Sequence, residues 1–126
     1  MTEKIKLAIN GYGRIGRCIV RALFESASFY EKMQVVAINE LADLETVVHL
    51  TRYDSTHGRF QQRVEGKDGV LEIGEDQIAV FKEKNPELLP WKALGVDVVL
   101  ECTGSYTDRG TAEKHLKAGA KNLVFS

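Results

Sequence analysis

Apolar positions at the start of the chain follow first a strand pattern and then a helix pattern. Ile5, Leu7 and Ile9 belong to a β-prone run that predicts a first strand. A glycine-rich turn comes next. From Arg17 onward apolar residues recur three and four positions apart, which predicts an amphipathic helix that ends at about Ser28. The chain therefore opens with a strand, a tight turn and a helix.

This first helix should turn one face toward a sheet and the other toward solvent. The face predicted to pack on the sheet contains Ile15, Ile19, Val20, Leu23 and Phe24. The face predicted to point outward contains Arg17, Arg21 and Glu25. Such a division is typical of a helix that covers one side of a sheet.

A second apolar run, residues 33–38, is nearly continuous and predicts a parallel strand that is covered on both faces. Asp43 has the chemistry of a helix N-cap, and Leu44, Val47 and Val48 supply the inner stripe of the helix that follows it. The strand-then-helix order of the opening segment is thus repeated.

Between residues 60 and 81 the pattern changes to short alternating segments that are separated by turn sequences at 67–69 and 74–76. This pattern predicts antiparallel strands with tight turns, the last of which can rejoin the main sheet. Pro86 and Pro90 bracket a predicted turn, and Trp91 directly follows Pro90. We expect its side chain to cover an edge of the sheet.

The β-then-α order then returns to the end of the chain. We predict a strand at 96–100, a turn at Thr103, a helix at 111–118 with Asp108 as its N-cap, and a strand at 123–125. Right-handed crossovers between such units build an α/β fold. It would be a doubly wound, mostly parallel sheet with a small antiparallel hairpin insertion.

The glycine turn carries the first candidate chemistry. Gly11, Gly13 and Gly16 have the G-x-G-x-x-G spacing between a predicted strand and a predicted helix. Gly11 supports a tight turn, Gly13 lets a pyrophosphate approach the main chain, and Gly16 lets the helix pack closely on the strand. Main-chain N–H groups at the helix start favour an anion. The pattern predicts a Rossmann dinucleotide-binding domain, with a purely structural glycine turn as the alternative.

Glu40 stands at the end of the second predicted strand, where this fold places an acid that accepts hydrogen bonds from the ribose hydroxyls. Opposed unit charges about 4 Å apart are worth about 1 kcal/mol in water and about 4 kcal/mol at an effective dielectric constant of 20. A carboxylate facing a 2′-phosphate should therefore disfavour NADP, so NAD is the expected cofactor. In the alternative interpretation Glu40 only caps the turn that follows.

Composition limits the other classes of function. The 126 residues are enough for one domain of common size, and 44% hydrophobic with 28% charged residues is typical of globular proteins. The net charge of −1 gives no general attraction to nucleic acid or to anionic lipid, so neither is an expected partner. The start of the chain lacks the apolar core of a signal peptide, and we expect a cytoplasmic location.

Cysteine and histidine positions give no sign of a disulfide or of a metal site. Cys18 and Cys102 lie in a predicted helix and a predicted strand, where they suit a reducing compartment as small buried hydrophobes. None of the histidines has a cysteine or carboxylate at metal-ligand spacing, so no metal is expected. The histidines are His49, His57 and His115.

Five motifs follow one another along the chain. They are INGYGRIGR at 9–17, AINEL at 37–41, RYDSTHGRF at 52–60, WKALGVDVVLECTG at 91–104 and KHLKAGAK at 114–121. Together they resemble the cofactor-binding half of the glyceraldehyde-3-phosphate dehydrogenase family over essentially the whole chain. Segments 38–43, 89–91, 94–106 and 118–126 are most similar to its D-erythrose-4-phosphate dehydrogenase branch, whereas 53–60 is more similar to the glyceraldehyde form.

The resemblance implies an oxidation of a sugar-phosphate aldehyde. In such enzymes a cysteine thiolate attacks the aldehyde, hydride passes to NAD, and water or phosphate resolves the thioester. The erythrose branch yields 4-phosphoerythronate, a precursor of pyridoxal phosphate. The family's cysteine lies in a Ser-Cys-Thr-Thr-Asn segment that this chain lacks, so no catalytic residue is assigned here. The intact protein is expected to be a homotetramer.

The resemblance also implies a set of cofactor contacts. The matching positions are Gly11, Gly13, Arg14, Ile15, Gly16, Glu40, Lys84, Thr103 and Ser126. Arg14 and Ile15 would donate main-chain N–H groups to the pyrophosphate, Lys84 would lie near the adenine, and Thr103 under the cofactor. Ser126 would lie nearest the nicotinamide. The alternatives are a solvated lysine at 84 and a helix-capping hydroxyl at 103.

Ser126 falls where the last predicted strand ends, at the edge of the expected crevice. We therefore expect residues 1–126 to be one NAD-binding domain of a longer enzyme. Two other hypotheses stay open: a phosphorylating glyceraldehyde-3-phosphate dehydrogenase, and a stand-alone NAD-binding module without chemistry of its own.

Overall fold

The computed structural model describes residues 4–54, 58–60, 62–103 and 109–125. Its strands are β1 Ile5–Asn10, β2 Met33–Asn39, β3 Tyr53–Asp54, β4 Gly58–Arg59, β5 Val64–Lys67, β6 Val70–Ile73, β7 Asp76–Phe81, β8 Val98–Glu101 and β9 Asn122–Phe125. Its α-helices are α1 Arg14–Glu25, α2 Ala27–Lys32, α3 Leu44–Arg52 and α4 Arg109–Lys117, and Pro86–Leu88 forms a 3₁₀ turn.

Seven strands form one sheet in the order β5-β6-β7-β2-β1-β8-β9. Pairing is parallel from β7 through β2, β1 and β8 to β9, and antiparallel between β5, β6 and β7. The predicted mostly parallel α/β sheet is confirmed, and β7 does rejoin it. Strand order reverses at β1, which has β2 on one side and β8 on the other, and such a switch point is where this fold binds ligands.

Two apolar clusters cover the two faces of the sheet. Along β1, Leu7 and Ile9 belong to the larger cluster with α1 and α3, and Ala8 belongs to the smaller one. This alternation follows from the period of two in a strand. Ala8 and Ala37 are small, and the large indole of Trp91 packs in the same cluster. Both faces of the central strands are therefore buried, as the continuous apolar run at 33–38 predicted.

The first helix differs from its prediction in length and in orientation. It ends at Glu25, and Ser26 begins a separate helix because its side chain accepts a hydrogen bond from the Phe29 N–H. Ile15, predicted to face the sheet, is 51% exposed. Arg21, predicted to point outward, is only 5% exposed, with its guanidinium over the Phe60 ring and donating to the Arg52 carbonyl.

Trp91 does not cover an edge of the sheet as predicted. Its ring is fully buried against one face, where it meets Phe81 edge to face and stacks on the His115 ring. Two prolines shortly before a tryptophan indicate a turn but not the surface on which the ring packs. The burial of His115 was likewise not visible in the sequence.

Local signals at helix ends and turns agree with the structure. Asp43 N-caps α3 by accepting from the Thr46 N–H, as predicted. Asp68 and Gly69 both have positive φ between β5 and β6, which fits the tight-turn prediction. Gly119, two residues after the end of α4, has a φ of 110°, which fits the predicted glycine at the end of this helix. The predicted cap Asp108 lies outside the described residues.

Candidate cofactor site

A crevice of about 420 Å³ opens at the carboxyl ends of β1, β2 and β8. The turn after β1 forms its middle, with Glu40 on the β2 side and Thr103 on the β8 side. Five of the nine predicted contact residues line it, namely Gly11, Gly13, Glu40, Lys84 and Thr103. The chain thus brings together positions that are as much as 92 residues apart, from Gly11 to Thr103.

Gly11 lies where the glycine turn passes the end of β8. Its φ is +91°, a conformation that side chains rarely adopt. A Cβ at this position would lie 2.6 Å from Thr103 Cγ2 and 2.7 Å from the Thr103 backbone nitrogen. The Gly11 N–H donates to the Asn39 carbonyl, which joins the turn to β2. Only glycine satisfies both constraints.

Gly13 and Gly16 bring the start of α1 into the crevice. Among the residues that the structure describes, none would lie within 4 Å of a Cβ on Gly13, so the main chain here is open toward the described part of the crevice. A Cβ on Gly16 would lie 2.9 Å from the Gly11 carbonyl oxygen and 3.1 Å from Ile9 Cγ2. Gly16 therefore permits close packing of α1 on β1, the role expected of the third glycine.

The first turn of α1 begins at Arg14 and Ile15, directly after Gly13. Amide groups in the first turn of an α-helix point beyond its end, and the helix dipole adds positive potential there. Arg14 and Arg17 add two positive charges to this turn. An open glycine, first-turn amides and basic side chains together suit a pyrophosphate, so the residues present fit a dinucleotide.

Glu40 follows β2, and its backbone N–H donates to the Phe81 carbonyl. One carboxylate oxygen accepts from the Tyr12 N–H at 3.0 Å, within the glycine turn. The other accepts from the Ala42 N–H at 2.8 Å, as the turn-capping alternative expected. A carboxylate oxygen can accept more than one hydrogen bond. The bonds from Tyr12 and Ala42 therefore leave capacity at Glu40 for ribose hydroxyls. The acid and the pyrophosphate turn are thus fastened to each other.

Tyr12 anchors the glycine turn from below. Its ring is 2% exposed, and its hydroxyl lies 2.7 Å from the Thr51 hydroxyl on α3, which donates to the Val47 carbonyl. Burial raises the pKa of Tyr12 to about 12. The side chain is therefore a neutral buried hydrogen-bonding group that ties the turn to α3.

Replacing Tyr12 with phenylalanine should lower the free energy of unfolding by about 1 kcal/mol, because one buried hydrogen bond is lost while ring packing is kept. Urea denaturation measures this difference. Tyr30→Phe is a matched control, since the Tyr30 hydroxyl donates to half-buried Asp76 at the start of β7, the end of that strand opposite the crevice. NAD affinity should weaken for Tyr12→Phe and not for Tyr30→Phe; the opposite order would contradict the anchoring role.

Beneath the crevice lies a buried carboxylate that sequence reasoning missed. Glu101, at the end of β8, is 2% exposed. One of its oxygens lies 2.7 Å from the Asn10 amide nitrogen and 2.9 Å from His115 Nε2, and the other accepts from the Thr103 N–H at 3.2 Å. Burial alone would raise the pKa of the Glu101 carboxyl. Hydrogen bonds from His115, Asn10 and Thr103 outweigh burial and hold this pKa below its ordinary value.

The contacts continue on both sides of Glu101. Trp91 Nε1 donates to His115 Nδ1 at 3.0 Å on one side. On the other side the Asn39 amide donates to the Asn10 carbonyl oxygen at 2.7 Å, and Asn39 exchanges hydrogen bonds with the Glu83 backbone. The only sequence signal for this network was polar residues at the carboxyl ends of three predicted strands.

The remaining predicted residues have different places. Lys84 lines the crevice and its side chain is exposed, a position that agrees with an adenine contact and also with a solvated lysine. Ser126 lies outside the described residues. Cys102 is buried in the larger apolar cluster and also borders the crevice, whereas Cys18 is half-buried.

The described part of the chain is residues 4–54, 58–60, 62–103 and 109–125. Within these ranges no group of three or more histidine, cysteine or acidic side chains is arranged to hold a metal ion. No helix in the same ranges has the length and apolar character needed to cross a membrane.

A mostly parallel sheet, a glycine turn at its switch point and an acid at the end of the neighbouring strand define a dinucleotide-binding domain of the Rossmann type. Residues 5–109 match the family model described as glyceraldehyde 3-phosphate dehydrogenase, NAD binding domain. This match covers most of the chain, which therefore belongs to that family. The domain of this family binds NAD, and the match supports an NAD-binding dehydrogenase of the family.

Proposed function

We propose that this chain is the NAD-binding part of an enzyme that oxidises the aldehyde of a sugar phosphate. The observation that carries the proposal is the hydrogen bond between Glu40 and the Tyr12 N–H. This hydrogen bond holds the Glu40 carboxylate, which we propose as the ribose acceptor, beside the turn that would bind the pyrophosphate. Such proximity supports a dinucleotide, in which ribose and diphosphate are adjacent.

The residues of the chain would orient the cofactor across the sheet. The Glu40 carboxylate would bind the adenosine ribose on the β2 side, and first-turn amides at Arg14 and Ile15 would bind the pyrophosphate. The second nucleotide would then extend past Gly11 toward Thr103 on the β8 side, because β8 flanks β1 opposite β2. NAD, when bound there, supplies the hydride acceptor.

We propose D-erythrose 4-phosphate as the substrate and 4-phosphoerythronate as the product, a step toward pyridoxal phosphate. Support comes from the similarity of segments 38–43, 89–91, 94–106 and 118–126 to that branch of the family, and from glutamate rather than aspartate at position 40. The catalytic cysteine and histidine would lie in a catalytic domain outside these residues. The whole enzyme would be a cytoplasmic homotetramer.

A phosphorylating glyceraldehyde-3-phosphate dehydrogenase is the second candidate, favoured by the segment YDSTHGRF at 53–60. The two enzymes differ in the acyl acceptor. Water resolves the thioester in the erythrose enzyme, and inorganic phosphate resolves it in the glyceraldehyde enzyme.

The test compares both aldehydes, with and without phosphate, using the full-length protein that contains this chain. We expect oxidation of erythrose 4-phosphate at a rate that phosphate does not change. Strong phosphate-dependent oxidation of glyceraldehyde 3-phosphate would contradict the substrate proposal. The Gly13→Ala variant serves as a control, because a block in the crevice should raise the KM for NAD with either aldehyde.

A stand-alone NAD-binding module is the third candidate. It would bind NAD without turning over either aldehyde. The encoded reading frame distinguishes the module from the enzyme. A downstream Ser-Cys-Thr-Thr-Asn segment supports the enzyme, and a stop codon directly after Ser126 supports the module.

A further inference from the structure

We propose that Glu101 is a positioning residue that holds the β2 side and the β8 side of the NAD crevice in register. It does so through a buried chain of hydrogen bonds in which every donor has one permitted direction. We call this chain the crevice relay, and it consists of Trp91, His115, Glu101, Asn10 and Asn39. The proposal rests on NAD binding in the crevice described above.

Trp91 fixes the direction at one end of the crevice relay. An indole nitrogen carries a proton and can only donate, so His115 Nδ1 must accept at the observed 3.0 Å. The ring proton of the neutral imidazole therefore lies on Nε2. Nε2 lies 2.9 Å from the Glu101 carboxylate and donates to it. The tautomer of His115 is thus set by Trp91.

The backbone of Glu83 fixes the direction at the other end. Asn39 accepts from the Glu83 N–H at 2.9 Å and donates to the Glu83 carbonyl at 2.9 Å, which sets the orientation of its amide. The Asn39 amide nitrogen then donates to the Asn10 carbonyl oxygen. Asn10 is left with its own amide nitrogen facing Glu101, 2.7 Å away.

At both ends of the crevice relay the groups that face Glu101 are hydrogen-bond donors, and Glu101 is the acceptor. The carboxylate must accept from His115 and from Asn10 at one oxygen, and from Thr103 at the other. An ionised carboxylate is the side-chain group that accepts at both oxygens without donating. The low pKa of Glu101 agrees with this requirement.

The location of the crevice relay connects it to NAD. Asn10, Asn39, Glu83 and Thr103 all line the crevice. Asn39 and Glu83 lie on the side of the ribose acid, and Thr103 lies on the side expected for the second nucleotide. A buried carboxylate seldom adds stability compared with apolar packing, because its desolvation is costly. We infer that the Glu101 carboxylate acts here by fixing geometry, since its hydrogen bonds join the two sides of the crevice.

The first test needs no variant. Long-range ¹H–¹⁵N spectra of the purified, labelled chain report which nitrogen of each imidazole carries the proton. We expect His115 to show the Nε2–H tautomer. An Nδ1–H tautomer, or a fully protonated ring, would overturn the assigned direction and with it the proposal.

The second test replaces Glu101 with glutamine. A glutamine amide has one oxygen and one NH₂ group. In one orientation the NH₂ group faces the Thr103 N–H donor, and in the other it faces the Asn10 and His115 donors, so one donor is always left without an acceptor. We expect NAD affinity measured by calorimetry to fall by about tenfold or more. Val64→Ala, on the far edge strand β5, is the control that lowers stability without touching the crevice.

A pair of variants at His115 covers the case in which Glu101→Gln fails to fold. His115→Gln keeps one donor for Glu101 and one acceptor for Trp91, whereas His115→Leu removes both. NAD affinity should stay within about threefold of wild type for glutamine and fall by about tenfold for leucine.

Three outcomes decide the proposal. Loss of affinity in Glu101→Gln and His115→Leu, with retention in His115→Gln and in Val64→Ala, supports it. Affinity that follows unfolding stability alone across all four variants overturns it, because the relay would then serve only the core. A folded wild-type chain that does not bind NAD would overturn both this proposal and the assigned crevice.

Discussion

Replacing Gly11 with alanine is expected to lower both the free energy of unfolding of the domain and its affinity for NAD. The added Cβ would lie under 3.0 Å from the backbone nitrogen and Cα of Thr103, and φ is +91°. Backbone strain and overpacking together should cost about 2 to 5 kcal/mol of unfolding free energy. Relief of the clash would displace Thr103 and open the middle of the crevice. Urea denaturation and calorimetry with NAD measure the two losses.

Gly13→Ala is the matched control, because the same methyl group there meets no described atom within 4 Å and the backbone φ is −82°. Its unfolding free energy should change by about 1 kcal/mol or less. NAD affinity should nevertheless fall by about tenfold or more, since the methyl group occupies the approach of the pyrophosphate. Unchanged NAD affinity in folded Gly13→Ala would contradict the placement of the pyrophosphate.

Replacing Glu40 with alanine should weaken NAD and reduce the discrimination against NADP. Charge-assisted hydrogen bonds to the ribose would be lost, so NAD affinity should fall by about 10- to 100-fold. Repulsion of a 2′-phosphate would be lost as well, so NADP affinity should fall far less or rise. Calorimetry with both cofactors gives the ratio of dissociation constants.

Two further variants separate the ribose contact from general charge. Glu40→Asp keeps the carboxylate and should retain most of the preference for NAD. Glu83→Ala removes another carboxylate from the same crevice, one that accepts from the Asn85 N–H rather than from the glycine turn. Glu83→Ala should change the ratio of the NADP and NAD dissociation constants by less than Glu40→Ala does. An equal change would show that net charge, not the ribose contact, sets the preference for NAD.

The sequence predicted the site where local spacing determines geometry. Gly11, Gly13 and Gly16 follow a strand within a few residues, so the turn they form depends mainly on their own backbone freedom. The position of Glu40 beside the turn was predictable because the end of β2 lies beside the end of β1 in any parallel βαβ unit. The strands themselves were visible because apolar runs persist in strands buried on both faces.

The rest could not be predicted because it depends on contacts between distant parts of the chain. Glu101 and His115 meet only when α4 packs behind β8, and neither position differs locally from a solvated residue. Arg21 follows helical periodicity as an outward residue, yet the Phe60 ring and the Arg52 carbonyl bury it. The apolar pattern continues past Glu25, where α1 ends. The end lies there because Ser26 caps a second helix, α2.

The central claim is that the glycine turn and Glu40 form one cofactor site. The most direct measurement is a titration of the labelled wild-type chain with NAD, followed in ¹H–¹⁵N spectra. We predict saturable shifts for the amides of residues 11–16 and 40–42, with smaller changes at the distant edge strand β5. A well-folded chain in which saturating NAD leaves those amides unmoved would contradict the account.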